Sequence, residues 1–152
     1  MSTEDRLANL GIRLPDAPHP FGAYVPAIQT GNLIFLSGML ATVGHTPTMT
    51  GVLGKELDFG AGKNAAYAAA LNVLALTRQQ LGSLNRVTQF VRLGVFVAAT
   101  AEFTEHAKVA DGASDVLRAV FGEKKIPTRV VIGVASLPLG SPVELEVVLE
   151  VK

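Results

Sequence analysis

From Asp58 to Leu81 the chain runs without a proline, and Ala65, Ala68, Ala69, Leu71, Leu74, Ala75 and Leu81 fall at three- and four-residue spacings. An α-helix puts residues so spaced on one face, and a face rich in alanine suits close packing on a sheet. The flanking segments supply the strands for such a sheet. "AYVPAIQTGNLIFLSGML" holds two strand-like runs joined at "TGN", where Gly31 and Asn32 tolerate a tight reversal. Between residues 41 and 57 the text is rich in Gly, Thr and Pro, which predicts a loop with one short strand around Thr50 to Leu53. "RVTQFVRLGVFVAA" reads as a strand, and "TAEFTEHAKVADGASDVLRAVFG" as a second helix that begins near a Thr100 cap, carries Gly112 inside it and ends at Gly122. Two last strands, Arg129 to Ala135 and Val143 to Val151, are separated by "SLPLGSP". At the start of the chain Thr3 caps a short helix through Leu7 and Leu10, which Pro15, Pro18 and Pro20 prevent from continuing. This order predicts an α+β domain over residues 1–152, with one mixed, mostly antiparallel sheet and both main helices on one face. Residues 1–19 form its N-terminal helix and lead-in.

Thirteen basic residues balance thirteen acidic ones, so no overall field draws in a polyanion, and the expectation is no nucleic-acid partner. The chain has no cysteine, which excludes a disulfide or a thiolate nucleophile and fits a cytoplasmic location. "MSTEDRLANLGIRLP" is too polar and acidic to read as a signal peptide, and no apolar run approaches the roughly 18 residues of a membrane helix. His19, His45 and His106 lack ligand-like spacing, so no metal is expected, and "GAGKNAA" lacks the spacing of a phosphate-binding loop.

The closing strands interrupt an apolar run with charge. By strand alternation Arg129 shares a face with Val131, Gly133 and Ala135, while Glu144, Glu146 and Glu150 share a face opposite Val143, Leu145, Val147 and Leu149. One reading is a simply solvated face. The small and apolar companions Val131, Gly133, Ala135 and Val148 suit a face that meets another protein surface, so the expectation is an oligomer with Arg129 and Glu144 in or near its clefts. A tight hairpin of these strands would set the two charges roughly 20 Å apart. They meet only if the strands are not so paired, or if the pocket is shared between chains.

"HPFGAYVPAIQTGNLIFLSGM", "VFVAATAEF" and "PTRVVIGVASLPLGSPVELE" resemble, in order and spacing, segments of the Rid family of reactive-intermediate deaminases, also called YjgF-like or endoribonuclease L-PSP proteins. The resemblance runs from about residue 20 to the C-terminus. It implies a chorismate-mutase-like fold, a homotrimer with ligand clefts between subunits, and no metal or organic cofactor. It further implies that Arg129 holds a substrate carboxylate and Glu144 positions water or relays protons, as the catalytic residue. Tyr24 would stand near the pocket mouth, with Ser37 and Gly38 lining it and Val131 two residues beyond the arginine. Deaminating members take an unstable enamine or imine to a 2-keto acid and ammonia. This chain departs from that pattern at Met39, at Val131, and on the second helix, where Ser114 or Asp111 stands in for an asparagine. The N-terminal segment and "VADGAS" resemble a side branch of the family.

Deamination of 2-imino acids at Arg129 and Glu144 is therefore the leading expectation, and a carboxylate-bearing small metabolite the expected partner. Against it stand two other classes. A metabolite-binding protein without turnover would use the same arginine, whereas a ribonuclease would need a basic stripe or an aromatic stacking platform that the sequence lacks. The lesser reading of Arg129 is an intersubunit ion pair with a glutamate, for which Glu144 could be the partner.

Overall fold

A computed structural model describes all 152 residues. Ser2, not Thr3, caps the first helix: its hydroxyl accepts from the Asp5 amide, and the Asp5 carboxylate accepts from the Ser2 amide in return. The helix that follows, α1 (Thr3–Asn9), is too short to persist alone. Leu7 anchors it in the core, and the Glu4 carboxylate accepts from the Arg78 guanidinium and from the Leu84 amide at 2.8 Å.

The expected hairpin forms from β1 (Ala27–Thr30) and β2 (Leu33–Leu36), with Gly31 at φ 58° in the turn. β3 (Met39–Leu40) continues toward a separate two-stranded ribbon, β4 (Thr42–Val43) and β5 (Thr46–Pro47). That ribbon lies earlier than the short strand expected at residues 50 to 53, where Leu53 makes only isolated bridges to Leu57 and Ala99. The long helix α2 (Phe59–Leu81) starts from an Asp58 cap and stops at Gly82, whose φ of 80° ends it.

β6 (Val87–Ala98) follows, then α3 (His106–Phe121), β7 (Thr128–Val134) and β8 (Val143–Val151). α3 begins six residues after Thr100, because the Thr100 amide and carbonyl are taken by Leu53 and Phe103 in a turn. Gly112 is the point at which α3 crosses α2: a Cβ there would stand 2.1 Å from the Lys63 carbonyl oxygen. The glycine thus fits the helix pair rather than breaking the helix.

The sheet order is β1-β2-β8-β6-β7, with β3 also paired to β8. All its pairs are antiparallel except β6 with β7, which are parallel because α3 carries the crossover. The closing strands are therefore not a hairpin, since β6 lies between them. Their buried residues Leu145, Val147 and Leu149 join Leu93, Val95 and the Ala65, Ala69 and Val73 stripe of α2 in one core. No helix is long and apolar enough to cross a membrane.

Candidate active-site cleft

Strand alternation turns Glu144 and Glu146 to the face away from the helices, because their neighbours Val143, Leu145 and Val147 fill the core. Beside Glu144 the chain leaves β2 through Ser37 and Gly38. The Ser37 hydroxyl donates to the Val25 carbonyl at 2.6 Å and its amide to the Pro26 carbonyl at 2.9 Å, which fixes this turn against the strand lead-in. Tyr24 folds back so that its hydroxyl accepts the Phe21 amide at 2.9 Å, and the Phe21 ring lies 4.3 Å from that of His45. The result is a cleft of about 450 Å³ lined by Phe21, Tyr24, Ser37, Gly38, Leu139 and Glu144, with Gly22, Leu40 and Pro138 completing it.

Four of the residues expected from the sequence thus meet in one place: Tyr24, Ser37, Gly38 and Glu144. Glu144 is the acid of this cleft. Burial pushes its carboxyl above the usual carboxylate range, and the neighbouring Glu146 carboxylate pushes the same way. Its carboxylate lies over Gly38, where even a methyl group would stand 2.8 Å from Oε2. The absence of a side chain at position 38 is what gives the acid its place.

Arg129 and Val131 stand elsewhere, which corrects the face expected for them. The register pairs Arg129 with Leu93, Val131 with Val95 and Gly133 with Val97, all core residues, so these side chains turn to the helix side of the sheet. Val131 packs against the core there, and Gly133 faces His106 of α3. The other side of β7 presents Val130 and Ile132, which are exposed beside Phe96 and Glu144. Both sides of this edge strand are apolar, so the alternation alone left its orientation open. Arg129 lies two strands and three ladder positions from Glu144, roughly 14 Å between Cα atoms by standard sheet spacings, and on the opposite face.

Arg129 has its own pocket of about 220 Å³ with Asp111, Ser114, Arg118, Ile126 and Pro127. Its Nη1 donates to Asp111 Oδ1 at 2.8 Å and to Ser114 Oγ at 3.0 Å. The two second-helix candidates therefore both touch the arginine, one turn apart on α3. Reasoning from sequence missed Phe21, Leu40, Pro138 and Leu139 as lining residues. Leu139 had no signal at all, as its left-handed backbone (φ 60°) is a property of the folded turn before Gly140. Met39 is buried on the core side, paired with Leu145.

An α+β chain with a six-stranded sheet and an acid poised over a glycine turn defines a class, and comparison places the chain within one. Residues 4–150 match the family described as "YjgF/chorismate_mutase-like, putative endoribonuclease", and the chain belongs to that family. Protein TCP17 of Trypanosoma cruzi is 41% identical over 145 residues, covering 95% of this chain and 91% of that protein. A 2-iminobutanoate/2-iminopropanoate deaminase of Dermatophagoides farinae is 27% identical over 141 residues, covering 93% and 95% respectively. Among solved structures, a protein of Shewanella oneidensis described as a "putative endoribonuclease" superposes with a TM-score of 0.94 at 30% identity, covering 99% of this chain and 100% of that one.

Proposed function

We propose that this protein hydrolyses 2-imino acids to 2-keto acids and ammonia, in clefts completed between copies of the chain. The observation that carries the reading is the Glu144 carboxyl held by burial above its ordinary range, over Gly38 and within a cleft that also holds Tyr24 and Ser37. Arg129 of a neighbouring copy supplies what that cleft lacks. Its planar fork grips the substrate carboxylate, using Nε and Nη2, which have no partner within the chain. The open sheet face supports such an assembly, since Ile28, Phe35, Val130 and Ile132 are exposed on it together. A homotrimer is the assembly this family resemblance suggests.

In the reaction, Glu144 accepts a proton from water as its oxygen attacks the imine carbon, giving a carbinolamine. The same carboxyl then passes the proton to nitrogen; as the C–N bond breaks, the ionised Glu144 takes the hydroxyl proton, the carbonyl forms, and that proton leaves with the ammonia as ammonium. A raised carboxyl affinity for protons suits both halves of that exchange. Tyr24, Ser37 and Gly38 line the cleft and bind substrate, and Val131 backs the strand that presents Arg129.

A second reading, metabolite binding without turnover, is favoured by the Arg129–Asp111 ion pair, which already satisfies part of the arginine. Ribonuclease activity is disfavoured, because the ionisable groups lining the Glu144 cleft are an acid and a tyrosine, with no base to meet phosphate. The deciding experiment measures ammonia release from freshly generated 2-imino acids by wild type, Arg129→Ala and Glu144→Gln, each first shown to assemble alike. Acceleration by wild type that falls at least about 100-fold in both variants is expected. No acceleration by folded, assembled wild type sinks the deaminase, and retained binding of 2-keto acids in that case establishes the second reading.

A further inference from the structure

We propose that Asp111 makes the Arg129 pocket selective for zwitterions, so that a 2-imino acid binds as its iminium carboxylate and departs as a 2-keto acid anion. The inference rests on the reading above that Arg129 receives the carboxylate. Asp111 Oδ1 lies 2.8 Å from Arg129 Nη1, and Ser114 Oγ takes the same nitrogen at 3.0 Å, leaving the other Asp111 oxygen without a partner in the chain. The pocket's second arginine is also matched, for Arg118 pairs with Glu123 at 3.1 Å and Asp115 at 3.6 Å. Lys63 also reaches Asp115 at 4.0 Å, so two arginines and a lysine meet three carboxylates, and the pocket has no net cationic field to attract a bare anion.

What the pocket does offer is a fixed dipole: an open guanidinium edge beside an open carboxylate oxygen. A ligand whose carboxylate and nitrogen cation sit on adjacent carbons matches both ends. An anion without the cation meets attraction from Arg129 and repulsion from Asp111 within a few ångströms of each other. Hydrolysis removes that cation: R–C(=NH2⁺)–COO⁻ and water become R–CO–COO⁻ and NH4⁺. The chemical step itself converts a ligand that fits the dipole into one that does not, which favours release of product.

The test compares 2-aminobutanoate with 2-oxobutanoate, the same skeleton with and without the cation, by isothermal titration into assembled wild type, Asp111→Asn and Asp111→Glu. Wild type is expected to bind the amino acid about tenfold tighter, on the scale of one charge contact near a protein surface. Asp111→Asn should bring the ratio close to one, chiefly by tightening the keto acid about fivefold or more, and Asp111→Glu should restore the preference. Melting curves establish that each variant folds, and a ratio of two ligands is insensitive to a general loosening of the site. The proposal is overturned if wild type favours the keto acid, binds neither ligand, or keeps its preference in Asp111→Asn. Arg129→Ala reports on the parent reading separately. Undiminished binding of both ligands there sinks the carboxylate role of Arg129, whereas lost binding there together with a ratio indifferent to Asp111 sinks only the selectivity.

Discussion

In the proposed reaction, Glu144 trades stability for chemistry. Burial and Glu146 make its ionised form costly, so the folded chain holds the proton to higher pH than the unfolded chain does. The native state then binds more protons across that window, and stability falls as pH rises through it. Glu144→Gln is accordingly expected to raise the melting temperature at neutral pH and to lose that advantage as pH drops below the ordinary carboxylate range, while abolishing turnover. A melting series from pH 7 to pH 4 checks the sign; a destabilised variant at neutral pH would mean that the carboxylate is held by favourable contacts instead. Gly38→Ala separates position from charge. Its added methyl would stand 2.8 Å from Oε2 and 3.0 Å from Cδ of Glu144, and the flexible acid swings aside at little cost to the fold. Turnover should fall about 100-fold with the melting temperature nearly unchanged, since a displacement of about 1 Å at a reacting group has effects of that size.

At the scale of elements, the crossing of α2 and α3 sets how closely the helical layer packs. A Cβ at position 112 meets the Lys63 backbone oxygen at 2.1 Å, and backbone cannot rotate out of the way as a side chain can. Gly112→Ala should therefore destabilise by about 3 kcal/mol despite alanine's better helix propensity, a strain typical of overpacked cores. Chemical denaturation of the two proteins measures it, and a stabilised alanine variant would show that the helices separate freely. The same crossing aligns the α3 turn that carries Asp111 and Ser114 with the edge strand that carries Arg129, so helix packing at the residue next to Asp111 reaches the arginine.

For the whole molecule, the chain on its own leaves Arg129 and Glu144 on opposite faces of one sheet. The assembly proposed above removes that separation by using two copies. Ile132 is 46% exposed on the open face of an edge strand, with no role in the core, so Ile132→Asp should leave the isolated fold intact. Light scattering is expected to show a smaller species for this variant, with deaminase activity lost alongside. An unchanged mass would move the interface to another surface.

The sequence alone determined the order of the main elements, because α2, the β1–β2 hairpin and the closing strands carry strong periodicity and clear glycine stops. It also determined that Glu144 lies opposite Val143, Leu145 and Val147, since only one side of β8 is apolar throughout. Tyr24, Ser37 and Gly38 were legible through their family resemblance, and the structure gathers them around Glu144. What only the tertiary structure decided was where β7 lies and which way it faces. Insertion of β6 between β7 and β8 is a long-range pairing with no local signal, and Val130 and Val131 are equally apolar neighbours on either side of the strand. The partner of Arg129, the wall formed by Phe21 and Leu139, and the burial that shifts Glu144 all arise from contacts between distant segments. Local sequence fixes side-chain alternation and turn chemistry; which alternating face meets the core is fixed only when the layers close.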